Sequence, residues 1–561
     1  VTALDWVVLS VTIVAIVAYG TFRNRAETMD GFLRGGADLR WWSIGISIMA
    51  TQASAITFLS TPGQAYEDGM GFVQFYFGLP IAMVILSAVV LPIYHRLGVY
   101  TAYEYLETRF DRKTRKLLAL LFLIQRGLSI GLSIYAPAIV LASVLGWSVF
   151  TTNLALGAAT ILYTVAGGSR AVARTQTLQM GVILAGMVVA LGYAISRLPS
   201  EVPLGRAIDL AGSLGKLRLV DPSPRADARY TLWSGLVGGL FLSLSYFGTD
   251  QSQVQRYLAG GPLAESRLGL IMNGLLKIPM QAFVLFVGVM VFVFYQLHPP
   301  PLSFHETELA RARALAPGEV LRLEDAEARA FAEKRAAIDR LVRAEAAGDR
   351  PSADGARAAV RDGERRIAEV RKSTQALIRR VHPGADPRDS DYIFIRFVLD
   401  HFPPGLVGLL VAVILCAAMS SSAAALSALG STTVVDFYRL SIRPGASERH
   451  YLGAARAFTA LWGALAVGFA GIAALLDNLI QAVNIVGSLF YGPMLGVFLV
   501  GFFGKRVRGT AAFVATLVGQ AAVIALFVGS AIGFLWYNVI GCVVVVVSAV
   551  LLQALLAPRT A

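Results

Sequence analysis

The sequence predicts an all-α polytopic membrane protein with one soluble helical insertion, and three observations support this. Of 561 residues, 56 % are hydrophobic and only 15 % charged, with a mean hydropathy of +0.63; soluble domains average about 25 % charged residues. Apolar runs of about 20 residues, the length that crosses a bilayer, recur along nearly the whole chain. The exception is 301–390, which holds 18 of the 49 Lys/Arg and 16 of the 36 Asp/Glu. This pattern excludes a water-soluble enzyme and a disordered chain. A net charge of +13 would point to nucleic acid in a soluble protein. Here it reads as Lys and Arg at the cytoplasmic ends of membrane helices, so the expected surroundings are the lipid bilayer and no nucleic acid.

Taken in order, thirteen helices are predicted near 4–20, 41–61, 72–98, 116–146, 148–166, 175–198, 228–247, 268–297, 404–437, 453–475, 479–502, 509–529 and 532–556. The run from Thr2 to Gly20 reads as a first spanning helix without a basic leader. Loops after helices 1, 3, 5, 7, 9 and 11 are basic, with Arg23 and Arg40, Arg109 to Lys116, Arg170 and Arg174, Arg256 and Arg267, Arg439 to Arg449, and Lys505 to Arg508. The short loops after helices 2, 4, 10 and 12 contain no Lys or Arg. The positive-inside rule then places the N-terminus outside and the C-terminus in the cytoplasm of a cell-membrane protein.

The insertion falls outside by the same count. Phe331, Ile338 and Leu341, then Val360, Ile367, Val370, Leu377 and Val381, recur at steps of seven, three and four around a turn at 348–352. That spacing describes an antiparallel helical hairpin. It reads either as a solvated decoration or as a site for an extracellular or periplasmic protein partner.

Two helices are too polar for simple spans. Helix 2 carries Ser43, Ser47, Thr51, Gln52, Ser54, Thr57, Ser60 and Thr61 before Pro62-Gly63; helix 9 carries Ser420, Ser421 and Ser422, then Ser427 and Ser431 to Thr433. Hydroxyls often serve as packing contacts between membrane helices. Combined with unwound backbone carbonyls they instead form a neutral oxygen cage for a small hard cation such as Na⁺. Helix 2 starts inside and helix 7 outside, so the five-helix units 2–6 and 7–11 would be inverted, as in many secondary transporters. The expected organisation is 1–40 (first helix and cytoplasmic loop), 41–198 (first repeat), 199–227 (external loop), 228–502 (second repeat, interrupted by 301–390) and 503–561 (two final helices).

The stretches YHRLGVYTAYEYLETRF (94–110), IYAPA (134–138), YTVAGG (163–168) and QSQVQRY (251–257) resemble the sodium/solute symporter family. The likeness is greatest to its iodide, monocarboxylate and multivitamin branch and covers nearly all the chain outside 301–390. It implies the LeuT-like 5+5 inverted-repeat fold and Na⁺-coupled solute uptake by alternating access. It also implies a Na⁺ site made by Ala50 and Ala53 on helix 2 and by Ala417, Ser420 and Ser421 on helix 9. Some members hold a second Na⁺ with an Asp where this chain reads Thr175-Gln176-Thr177, so one Na⁺ per cycle is expected.

By the same resemblance the solute cavity is expected to involve Gln52, Ser54 and Thr57, then Ser243, Tyr246 and Phe247, and Gln481 or Asn484. The segment 72–80 lacks the acidic residue of sugar-transporting members, which favours an anion or carboxylate over a hexose. Arg126 stands roughly 15 Å into helix 4 at about 1.5 Å per residue. An intramembrane charge is a functional-site candidate, and a guanidinium matches a carboxylate. The alternative is that Arg126 snorkels to the cytoplasmic surface. Asp250 is a candidate partner for a cytoplasmic Arg, without an assigned role. Cys416 and Cys542 lie in apolar runs, and no nucleophile, acid pair or metal cluster suggests an enzyme. H⁺ coupling, or a sensor reading a ligand through the hairpin, remain the alternatives.

Overall fold

A computed structural model describes residues 2–23, 27–34, 39–225, 227–228, 230–383, 389–471 and 479–556. Over these residues every expected apolar segment is helical, and ten runs are long and apolar enough to cross a membrane. Helix α1 spans Ala3–Arg23. The second expected helix is two pieces, α2 (Trp41–Gln52) and α3 (Ala55–Asp68), because Ala53 leaves the helical region at φ −85°, ψ 78°. The third opens as a 3-10 segment, Gly69–Tyr76, and continues as α4 (79–97) with a π turn at Leu86–Val90. Asp111 caps α5 (Arg112–Leu145) by accepting the Thr114 N–H at 2.9 Å. The basic loop expected around Arg170 and Arg174 is not a loop. Instead α6 (Val149–Ser169) and α7 (Ala171–Ser196) meet at Gly168, which turns the chain at φ 58°, ψ −163°. Only glycine fits there, since a Cβ would stand 2.5 Å from the Phe32 ring.

In the second half α8 (Leu204–Ser213) lies in the loop before a π turn at Ser234–Gly238 and α9 (Gly239–Thr249). The chain breaks at Asp250 (φ −79°, ψ 115°) and resumes as α10 (Gln251–Leu258). Then come α11 (Leu263–Leu297), the insertion helices α12 (Glu306–Leu315), α13 (Pro317–Ala346) and α14 (Arg350–Val381), and α15 (Ile393–His401). They are followed by α16 (Leu406–Ile442), α17 (Glu448–Ala470), α18 (Leu479–Phe503), α19 (Gly509–Gly529) and α20 (Leu535–Leu556). The breaks at Ala53 and Asp250 thus fall in the first helix of each five-helix unit.

Burial separates the core from the rim. The most apolar window of α16 is 89 % buried and that of α20 only 22 %, so α16 is central and α20 faces lipid. Lipid tails are as apolar as leucine, so helices associate through close packing and small residues. Helix α11 runs alongside α2 and α3 in that way. A Cβ on Gly45 would come within 3.1 Å of the Gly269 carbonyl, and one on Gly288 within 2.2 Å of the Pro62 carbonyl.

The hairpin forms, with Ile338, Leu341 and Val360 buried and Gly348 at φ 70° in the turn. Two features depart from the expected two-helix arm. Helix α12 packs Leu309 and Ala312 beside Val320, Leu377 and Ile378. The arm also docks on the end of α3. Its Arg371 stacks over Phe304 (4.7 Å) and Tyr66 (5.9 Å) and pairs with Asp389 at 3.1 Å, and a Cβ on Gly63 would collide with the Ser390 carbonyl at 1.9 Å. Burial between these helices pushes the Glu327 carboxyl up to about 7, against the opposing pull of Arg371 and Lys334.

Two arginines counted as loop charges are interior. Arg115 pairs with buried Asp436 at 2.6 Å and with Glu107 at 2.7 Å. Arg256 is fully buried and donates to Ser169 Oγ at 3.0 Å. Both tie helices together.

Candidate functional site

Breaking a helix frees backbone carbonyls that would otherwise be bonded along it. The break at Ala53 does this beside α16, whose serines sit on the facing surface. Ala50, Ala53 and Ala417 are fully buried; Ser420 and Ser421 are nearly so. Ser420 Oγ donates to the Ala50 carbonyl at 3.1 Å, and Ser421 Oγ donates to the Ala417 carbonyl at 3.1 Å. Four of the five expected oxygens therefore stand in two contacting pairs, with Ala53 at the break itself. A hard cation of calcium's size takes oxygens at about 2.3–2.6 Å, so ligands at right angles lie about 3.3–3.7 Å apart. Both measured separations are slightly below that range, and the expected ligands are all neutral oxygens.

Gln176 on α7 adds what the sequence did not reveal. Its Nε2 donates to Thr51 Oγ1 at 2.9 Å and to the Ser420 carbonyl at 3.3 Å, while Ser47 Oγ donates to its Oε1. The amide joins α2 to α16. Sequence comparison registered only the missing carboxylate at this position, not the bonds its replacement makes.

Immediately beyond Ala53 lies a cavity of about 90 Å³. Of the expected solute residues, Gln52, Ser54, Thr57, Arg126, Tyr246 and Asn484 line it, together with Tyr76, Gln125, Ser129 and Tyr491. Ser243 and Phe247 do not. On α9 the side chains four residues apart share a face, and it is Leu242 and Tyr246 that reach the cavity. Ser243 and Phe247 occupy the neighbouring face and are buried, Phe247 packing on the Tyr246 ring at 4.9 Å. The Gln481 side chain lies outside the described residues.

Arg126 is not a snorkelling residue. Its side chain is 12 % exposed, its guanidinium lies 5.4 Å from the Tyr246 ring centroid, and its Nη2 donates to Asp250 Oδ2 and, at 3.1 Å, to Tyr491 Oη. Asp250 thus pairs with Arg126. Tyr491 donates to the same Asp250 oxygen at 3.1 Å and accepts from Gln125 at 3.2 Å. Neither Tyr491 nor the pairing was legible in sequence, because the partners lie 124 and 365 residues from Arg126.

Lys277 on α11 was also missed. It is fully buried, its ammonium sits 5.3 Å from the Tyr76 ring, and its Nζ has no hydrogen-bond partner among the described residues. Tyr76 separates it from the cavity. A lone Lys in an apolar helix was the available signal.

The sequence pattern of the sodium:solute symporter family matches residues 32–300 and 375–519, leaving the insertion helices α12 and α13 and most of α14 outside it. The sodium-coupled monocarboxylate transporter 1 of Xenopus laevis is 26 % identical over 532 residues, 94 % of this chain and 72 % of that protein. The sodium/iodide cotransporter of Homo sapiens is 34 % identical over 280 residues, covering 49 % of this chain and 42 % of that protein. A Na⁺-coupled sialic acid symporter solved in a substrate-bound outward-open state has a TM-score of 0.78 at 22 % identity, with 99 % of both chains covered. That likeness shows the inverted-repeat, LeuT-like fold. These relatives are transporters, not enzymes. With the broken helices and the oxygen cage beside the cavity, the chain belongs to the sodium:solute symporter family: it is a multi-pass membrane protein, and Na⁺ is its co-transported ion.

Proposed function

We propose that this symporter imports a small organic anion, most simply a carboxylate, with one Na⁺ per cycle by alternating access. One observation carries the reading: a guanidinium, Arg126, in the wall of a cavity that adjoins the helix break. Guanidinium and carboxylate match as planar partners with two parallel hydrogen bonds. Gln52, Ser54, Thr57, Tyr246 and Asn484 supply the surrounding polar contacts, and relatives named for monocarboxylates and iodide support an anion. The Na⁺ is held by Ala50, Ala53, Ala417, Ser420 and Ser421. A single ion is supported by Gln176, whose amide already satisfies Ser47, Thr51 and the Ser420 carbonyl. The N-terminus and the 301–390 arm lie outside and the C-terminus in the cytoplasm. Units 41–198 and 228–502 rearrange against each other, 1–40 and 503–561 flanking them and 199–227 forming an external loop.

The test is uptake into proteoliposomes of acetate, lactate, iodide and glucose, with Na⁺ or choline outside. Na⁺-dependent entry of an anion, lost in Arg126→Gln, is expected; entry of glucose alone would overturn the reading. H⁺ coupling has one observation in its favour, the buried titratable Lys277 beside Tyr76. Uptake driven by a pH gradient without Na⁺ would select it.

A further inference from the structure

Arg126 carries the positive charge of the cavity, yet that charge is already answered. Asp250 is fully buried and takes Nη2 of Arg126 on Oδ2, the same oxygen that accepts Tyr491 Oη at 3.1 Å. Its other oxygen accepts the Ser252 N–H at 2.9 Å and the Ser252 hydroxyl at 2.6 Å. The carboxylate is therefore fixed at the break between α9 and α10 and is not free to leave. Arg126 Nε is buried without an acceptor among the described residues. An arginine offers five N–H donors, so an anion can be held by Arg126 while Asp250 keeps its own contact.

Charge accounting gives this arrangement a consequence. Arg126 and Asp250 sum to zero, and the oxygen cage of α2 and α16 is neutral. An anion entering alone would bring an uncompensated charge into a buried site, which is strongly unfavourable. Na⁺ in the cage, whose residue Ala53 lies between the cavity residues Gln52 and Ser54, supplies the missing charge. We propose that Asp250 is the positioning residue that makes anion binding Na⁺-dependent: by neutralising Arg126 it denies the solute a free counter-charge until Na⁺ is bound. This rests on the anion reading above and adds the origin of its coupling.

The test measures lactate, acetate and iodide affinity of the purified full-length chain in nanodiscs, with and without Na⁺, for wild type and Asp250→Asn. Coupling between two ligands is typically about 5–150-fold. Wild type is expected within that range and Asp250→Asn near unity, with anion binding retained without Na⁺. Reciprocity requires Na⁺ affinity to lose its dependence on the anion in the same variant. Asp250→Glu restores the carboxylate and is expected to restore the Na⁺ requirement, which a merely structural role would not demand. A second measurement needs no variant: Na⁺ should strengthen binding of lactate but not of neutral lactamide to the wild-type protein. Equal strengthening of both, or a folded Asp250→Asn that keeps the full Na⁺ requirement, overturns this inference alone. Wild-type protein that binds none of the three anions at any Na⁺ concentration overturns the anion reading and this inference with it.

Discussion

Replacing Ser420 and Ser421 singly by alanine separates ion binding from helix packing. Each substitution removes one of the five oxygens assigned to Na⁺. A polar contact to a charged partner is worth about 1.5–3 kcal/mol, and about 1.4 kcal/mol corresponds to tenfold. Each loss should therefore weaken Na⁺ by roughly ten- to a hundredfold. The packing consequences differ. Ser420 Oγ bonds across to the Ala50 carbonyl at 3.1 Å, joining α16 to α2, whereas Ser421 Oγ bonds, among the described residues, only the Ala417 and Ala418 carbonyls of its own helix. Ser420→Ala should lower stability without Na⁺ by about 0.5–1.5 kcal/mol, the net worth of one hydrogen bond; Ser421→Ala should hardly change it. Thermal unfolding of detergent-purified protein across a Na⁺ series reads both quantities, and Na⁺-driven uptake in proteoliposomes checks the half-saturation. If both variants fold and keep a Na⁺ half-saturation within about twofold of wild type, well inside the tenfold loss one contact predicts, the cage is wrongly placed.

Wild-type uptake should show a Na⁺ Hill coefficient near one, and a value near two would contradict Gln176 as the occupant of a second site. Gln176→Ala removes the acceptor of the buried Ser47 hydroxyl and should cost about 1–3 kcal/mol of stability, read by thermal unfolding. Lys277→Met replaces a buried ammonium that has no hydrogen-bond partner among the described residues and should raise the melting temperature, since an unsatisfied buried polar group costs about 1–3 kcal/mol; a lower melting temperature would show that the amine has a partner. Glu327 is pushed from 4.5 to about 7, so the folded state holds its proton more tightly than the unfolded chain. Its stabilising effect is complete below the unfolded value, declines as pH rises through the folded one, and is gone above it. Melting temperature should fall from pH 4.5 to 7.5 in wild type, and Glu327→Gln should flatten that slope; an equal slope in the variant would assign it to other groups.

Much of the architecture was legible because a bilayer imposes it. Every apolar run expected to span is helical, since an unpaired backbone group in lipid is too costly to leave. The unusual polarity of helices 2 and 9 was legible because hydroxyls in an apolar helix stand out, whereas the five residues proposed for Na⁺, three of them alanines, came from the family resemblance. Errors arose where a residue's neighbours are remote in sequence. Arg115 and Arg256 counted as loop charges until the fold buried them against Asp436 and Ser169. Ser243 and Phe247 were expected at the cavity by the family resemblance, whereas the cavity is lined from α9 by Leu242 and Tyr246, one face round the helix. The arm read as a free hairpin because its heptad spacing reports the contact between its own helices and not the docking of Arg371 on Tyr66.

Composition and the order of apolar runs determined by themselves that this chain crosses a membrane repeatedly. Only the tertiary structure decided what Arg126 faces. An intramembrane arginine is an unresolved charge in sequence; it becomes one half of a neutral pair when folding brings Asp250 from 124 residues away and buries both. Burial of charge is permitted only in company, and which residue provides that company is decided by packing in three dimensions.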